Sequence, residues 1–233
     1  MHHLPTILAA LILAASAEAH DLWLDQGAGG YMLLYGHRHS AHAGQDRVEY
    51  RPEAVRRLSC FGADGQAVGE GTTAAYPARL AGDCAAAYAL LATGHWTKTP
   101  YGTKNLPKDQ VGGAIASWVS FEGVKRIDGW GQGLSRPLTQ DLELVPLENP
   151  LTLNEGAKIR LRVTLAGQPV AGAVVAYEGE PRGETGPDGL MNIRLRHGGL
   201  QRIEATLRRP LHGPKADEEI HTTTLSFALG GHR

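Results

Sequence analysis

From Lys158 to Leu165 the chain alternates without a break, with Ile159, Leu161, Val163 and Leu165 on one side and Lys158, Arg160, Arg162 and Thr164 on the other. A period of two puts successive side chains on opposite faces of an extended backbone, so this stretch reads as a half-buried strand. The residues after it keep the same grammar. Ala166-Gly167-Gln168-Pro169 turns the chain, Ala173 to Tyr177 returns, and Thr185-Gly186-Pro187-Asp188-Gly189 is a second strong turn. Asn192 to Arg196 and Gln201 to Leu207 flank Gly198-Gly199, and Ile220 to Leu229 closes the pattern. Short strands at this spacing predict a small antiparallel β-sandwich. The 30 glycines and 13 prolines favour the same outcome, turns and short strands over long helices.

The earlier half is also mainly β. Tyr31 to Tyr35 is an apolar, aromatic run bounded by Gly29-Gly30 and Gly36, as expected of a buried strand. Arg47 to Tyr50 and Val55 to Phe61 read as further strands, with Ala63-Asp64-Gly65-Gln66 as a hairpin turn into Ala67-Val68. Tyr76 to Leu80 and Cys84 to Leu91 form the next expected pair, and Gly94 to Pro107 reads as a loop carrying Trp96 and Tyr101. From Ala114 to Ile127 the apolar residues Ile115, Trp118, Val119, Val124 and Ile127 fit a helical period loosely, while Ala116, Trp118 and Ser120 also allow a strand; one helix is the expectation there. Leu142 to Pro150 reads as a strand running into a linker, because Pro146 and Pro150 do not suit a central strand. With 233 residues, one large or two small domains fit. The expected division is a leader over 1–19, an N-terminal β domain with that one helix over 20–148, and a C-terminal sandwich over 149–233.

Ile7 to Ala15 is an apolar run followed by Ala17-Glu18-Ala19, an A-x-A cleavage pattern. The run is shorter than the roughly 20 residues that a bilayer-spanning helix needs. A secretory signal and a periplasmic location are therefore expected, although the segment before the run offers His2 and His3 in place of Lys or Arg. In an exported chain the even pair Cys60 and Cys84 predicts one disulfide, worth about 3 kcal/mol in the chain-entropy picture. Removing the leader takes away Glu18 and leaves 23 basic against 23 acidic residues. A near-neutral chain argues against a nucleic-acid partner, which calls for a basic face.

Cleavage after Ala19 would make His20 the first residue, and its free amine and ring Nδ1 together form a chelate. A second His supplies a further equatorial donor, an arrangement that suits Ni(II) or Cu(II). Gly36-His37-Arg38-His39-Ser40-Ala41-His42 comes directly after the Tyr31 to Tyr35 strand. His37 and His39, two apart, share a face if the strand continues, and His42 joins them only if the chain turns. The candidate metal ligands are thus His20, His37, His39 and His42, against the plainer alternative of an exposed terminus and a polar loop. Asp21, Asp25, Asp46 and Glu49 lie nearby as outer partners of ring N–H groups or as solvated turn residues. His95, His197, His212, His221 and His232 share no spacing and read as surface residues. With no G-x-S-x-G, H-E-x-x-H or P-loop, hydrolytic and nucleotide chemistry have no signal, and no catalytic residue is expected.

Several motifs together resemble a known group of exported proteins. They are His20-Asp21-Leu22-Trp23-Leu24, Leu33-Leu34-Tyr35-Gly36-His37, Glu49 to Val55, Trp96-Thr97-Lys98-Thr99-Pro100, and Leu142 to Leu147 with Asn149-Pro150. They are similar to secreted nickel-binding components associated with energy-coupling-factor uptake transporters for nickel and cobalt. Leu165 to Val174 with Asp188-Gly189 resembles the prealbumin-like sandwich found in that group. The resemblance implies His20 and His37 as ligands, while His39 and His42 rest on local spacing. It implies periplasmic capture of Ni(II), with Cu(II) and Co(II) as alternatives, and delivery to membrane-embedded transporter components. A copper carrier using the same site is the second expectation, and a copper-dependent oxidase the third.

Overall fold

Ala86-Ala87-Tyr88-Ala89 is an unusual start for a strand, and its small side chains follow from where it lies, in the middle of a sheet with another layer on each face. The computed structural model describes residues 21–37 and 46–230. In chain order the strands are β1 (Asp21–Gly27), β2 (Gly30–His37), β3 (Asp46–Arg47), β4 (Val55–Phe61), β5 (Ala67–Glu70), β6 (Arg79–Ala81), β7 (Ala86–Thr99), β8 (Gly102–Lys104) and β9 (Ala116–Ile127). They continue as β10 (Glu143–Pro146), β11 (Lys158–Leu165), β12 (Gln168–Pro169), β13 (Val174–Tyr177), β14 (Glu180–Glu184), β15 (Leu190–Arg194), β16 (Gly199–Pro210) and β17 (Glu218–Leu229).

One long sheet runs in the order β14-β13-β16-β17-β9-β7-β4-β5, with β8 paired to β7. On one face lies the small sheet β1-β2-β3 with β6, on the other the sheet β10-β11-β12 with β15. Strand alternation divides the core accordingly. Ala86, Tyr88 and Ile127 pack with Leu144, Ile159, Leu161 and Val163, whereas Ala87, Ala89, Leu91 and Val124 pack with Leu22, Leu24, Tyr31 and Leu33. The Lys158 to Leu165 strand behaves as its alternation requires, with Ile159, Leu161 and Val163 all fully buried. The fold is mainly β, in layered sheets with a sandwich arrangement, as expected.

β17 lies parallel to β9, from Glu218 opposite Trp118 to Phe227 opposite Ile127, while the other pairs of the long sheet are antiparallel. Strands from both sides of residues 148 and 149 therefore share one sheet. The apolar core around β11 likewise takes Phe61, Tyr88, Ile127 and Leu144 from the earlier half. The expected disulfide is present, with Cys60 at the end of β4 joined to Cys84 just before β7 across a Cα separation of 5.3 Å. The 63–66 turn connects β4 to β5 as expected.

Three local expectations are corrected. The stretch from Ala114 to Ile127 contains strand β9 and no helix. Its second half, Gly123 to Ile127, is almost wholly buried between layers and shows no wet side to reveal a period, and pairing with β7 and β17 satisfies the backbone of the strand. Residues 94–99, expected in a loop, belong to β7. The register with β9 shifts between Ala92 and Gly94, and Gly94 takes φ 92°, a conformation that glycine adopts without strain. The 79–81 segment pairs with β2, and β7 with β4 and β9, so the two expected partners are not neighbours.

The strand assignment of β9 also explains a buried charge. Lys125 Nζ donates to Glu143 Oε1 at 2.7 Å, with side-chain exposures of 1% and 0%. Glu143 Oε2 accepts further hydrogen bonds from the backbone N–H groups of Leu138 and Thr139 and from the Thr139 hydroxyl. Desolvating two ions is unfavourable, and these additional donors offset it.

Candidate metal-binding site

The β1–β2 hairpin carries the candidate site. Its register runs from Gly27 opposite Gly30 to Asp21 opposite Gly36, and His37 is the next residue of β2, opposite Asp46 of β3. Gly36 has φ 141°, so the backbone can bend there before His37 without a Cβ clash. His37 is half-buried. His20, His39 and His42 lie outside the described residues. Among the described residues, no group of three or more His, Cys, Asp or Glu side chains is gathered as a ready metal cage.

Tyr31 and Leu33 face the long sheet as core residues, and Tyr35 packs beside them. The Tyr35 hydroxyl donates to Glu122 Oε1 at 3.2 Å. Glu122 sits on β9 opposite Thr222 of β17, and Glu204 of β16 sits opposite Thr224. The first strand begins beside them, where Arg202 Nη2 holds Asp21 Oδ1 at 3.0 Å. Burial pushes Glu122 up to about 7; the Tyr35 hydrogen bond opposes that rise, and the charges of Glu204 and Asp21 add to it. Glu204 is raised as well, first by burial and then by Asp21, with Arg202 opposing. Tyr35 is raised by its own burial and by the neighbouring Glu122 charge.

An anionic patch of this kind favours a cation placed over it, whether a proton, an amine or a metal ion. Glu122, Glu204 and Arg202 were not singled out by the sequence, because the parallel β9–β17 pairing brings them together from distant segments. Of the carboxylates that were, Asp21 joins the patch, Asp25 lies further along β1 opposite Met32, and Glu49 is exposed. The aromatic pair Trp23 and Tyr31 is core, at 4% and 2% exposure. His221, expected at the surface, is half-buried and stacks on Phe121 with ring centroids 5.0 Å apart. It occupies the other face of the sheet.

A family profile described as a domain of unknown function, DUF4198, matches residues 17–209. The chain belongs to the DUF4198 family. The matched segment takes in the β1–β2 hairpin, Glu122 and Glu204, and ends within β16. No curated protein and no solved structure matches this DUF4198 chain.

Proposed function

We propose that this protein is exported, begins at His20 after cleavage, and binds a divalent transition-metal ion for delivery to a membrane-embedded uptake transporter. Ni(II) is the first choice of cargo. The ligands would be the amine and imidazole of His20 with His37, while His39 and His42 supply further donors from the same segment. The protein acts as a carrier and not as an enzyme.

The observation that supports this reading most directly is the hairpin register. Asp21 is opposite Gly36, so the chain enters β1 one step from the strand position of His37. On the adjoining side the Glu122 and Glu204 carboxyls, pushed towards their neutral forms by burial and like charge, would be favoured in their charged forms by a nearby dication and offer acceptors for ring N–H groups. Because Cu(II) outranks Ni(II) on most nitrogen sites, affinity alone does not name the cargo.

Calorimetry on the chain starting at His20 tests the reading. Ni(II) should bind, His37→Ala should weaken it by about 10- to 100-fold, and one glycine added before His20, which removes the terminal amine from the chelate, should do the same. Growth-dependent expression under nickel or copper limitation would separate the two cargoes. If neither ion binds the mature chain, the proposal fails.

A further inference from the structure

Between β2, the 3₁₀ turn Pro52–Ala54 and β7 lies a cleft of about 390 Å³, towards the small end of the usual range for ligand pockets. Three rings line it, Tyr35 from β2, Tyr50 from the segment just before the 3₁₀ turn and Trp96 from β7. Trp96 Nε1 donates to Thr93 Oγ1 of its own strand at 3.3 Å, so the indole's polar atom is already engaged and its surface in the cleft is apolar. The mouth is charged in both signs, with Arg51 and Arg56 against Glu49 and Glu53. All four are exposed, and among the described residues none takes part in an ion pair.

These features specify a ligand. Planar apolar walls select a flat group, and two uncommitted guanidinium groups recognise a carboxylate, bidentately where the geometry permits. Two uncommitted carboxylates recognise an ammonium. A ligand of one sign would leave half of this rim unanswered, whereas a zwitterion uses both signs. We propose that the cleft binds a free α-amino acid with a planar side chain, of which histidine and tryptophan are examples. Such molecules also chelate divalent metals through amine and carboxylate. Tyr35 lines the cleft and lies two residues from His37, so the ion can arrive at the hairpin already chelated. That last step rests on the metal-carrier reading; binding of the free zwitterion does not.

The test is calorimetry of L-histidine with the EDTA-treated full mature chain. L-Histidine should bind, and histamine, which lacks the carboxylate, and imidazolepropionate, which lacks the ammonium, should each be weaker by about tenfold or more. The double variant Arg51→Ala/Arg56→Ala, confined to exposed positions, should lose a similar factor, as should Trp96→Ala, while Trp96→Phe keeps most of the affinity. No binding of L-histidine or L-tryptophan to the unsubstituted chain would overturn the proposal. So would unchanged affinity in the arginine double variant, or analogues that bind as well as the amino acid. His37→Ala separates the two readings: it should spare L-histidine binding in the metal-free protein while losing Ni(II).

Discussion

Two carboxylates packed on opposite faces of β9 meet burial in opposite ways. Glu143 is held by Lys125 and by three further donors from Leu138 and Thr139, and its charge is answered wholly from within the protein. Glu122 receives the Tyr35 hydroxyl and, among the described residues, no cation at ion-pair distance, while Glu204 and Asp21 add like charge beside it. The first arrangement is complete and serves the fold. The second pairs Asp21 with Arg202 but, among the described residues, gives Glu122 no counter-ion, so burial and like charge favour its neutral form.

Removing one member of the completed pair gives the largest effect. Glu143→Ala leaves Lys125 buried without its counter-ion and should destabilise the protein by about 3–5 kcal/mol, read from urea unfolding. The double change Lys125→Met with Glu143→Leu should recover most of that loss, because the charge disappears from both sides. A small effect of Glu143→Ala would erase the contrast with Glu122.

On the other face the expected sign is reversed. Glu122 has a folded value near 7 against an ordinary 4.5, so between these values the folded state holds a proton that the unfolded chain has released. Stability should therefore fall as pH rises from about 4.5 to about 7 and level off above that. Glu122→Gln should flatten this slope in metal-free protein and raise stability at pH 8 by on the order of 2 kcal/mol. A slope that survives the substitution would assign the titration to another group.

The smallest effect belongs to a charge pair at the surface. Arg57 Nε lies 3.2 Å from Asp141 Oδ2, with the arginine side chain 41% exposed. Arg57→Ala should change the thermal midpoint little, corresponding to roughly 0–1 kcal/mol. A loss as large as that of Glu143→Ala would show that solvent contact is not what separates these pairs.

How far the sequence reveals this molecule depends on how many sides of a strand touch water. Lys158 to Leu165 has a wet face, so its alternation is visible and its strand assignment is direct. Ala114 to Ile127 has no clean wet face, being half-exposed in its first part and buried from Gly123 to Ile127, and Ile115, Trp118, Val119, Val124 and Ile127 then suggest a helical stripe where there is none. The hairpin turn at 63–66 and the Cys60–Cys84 bridge were legible because turn chemistry and cysteine count are local. Pairing was not: Arg79–Ala81 goes to β2, a choice that short-range pattern cannot encode. The candidate site divides along the same line. His37 was visible from the strand before it, whereas Glu122 and Glu204 look like ordinary polar positions until β17 is set between their strands. The four histidines differ in standing for this reason, and His20, His39 and His42 lie outside the described residues.

The parallel seam between β9 and β17 also has a consequence for how the chain acquires its shape. β17 is made after every other described strand, yet it fills the edge of β9 and joins β16 to the earlier half. Until it emerges, β9 has an open side and the long sheet remains two separate pieces. Closing such a sequence-distant contact is slow compared with forming a local hairpin. Completion of the central sheet thus waits for β17, and until that strand has appeared the growing chain carries sheet edges for a chaperone to hold.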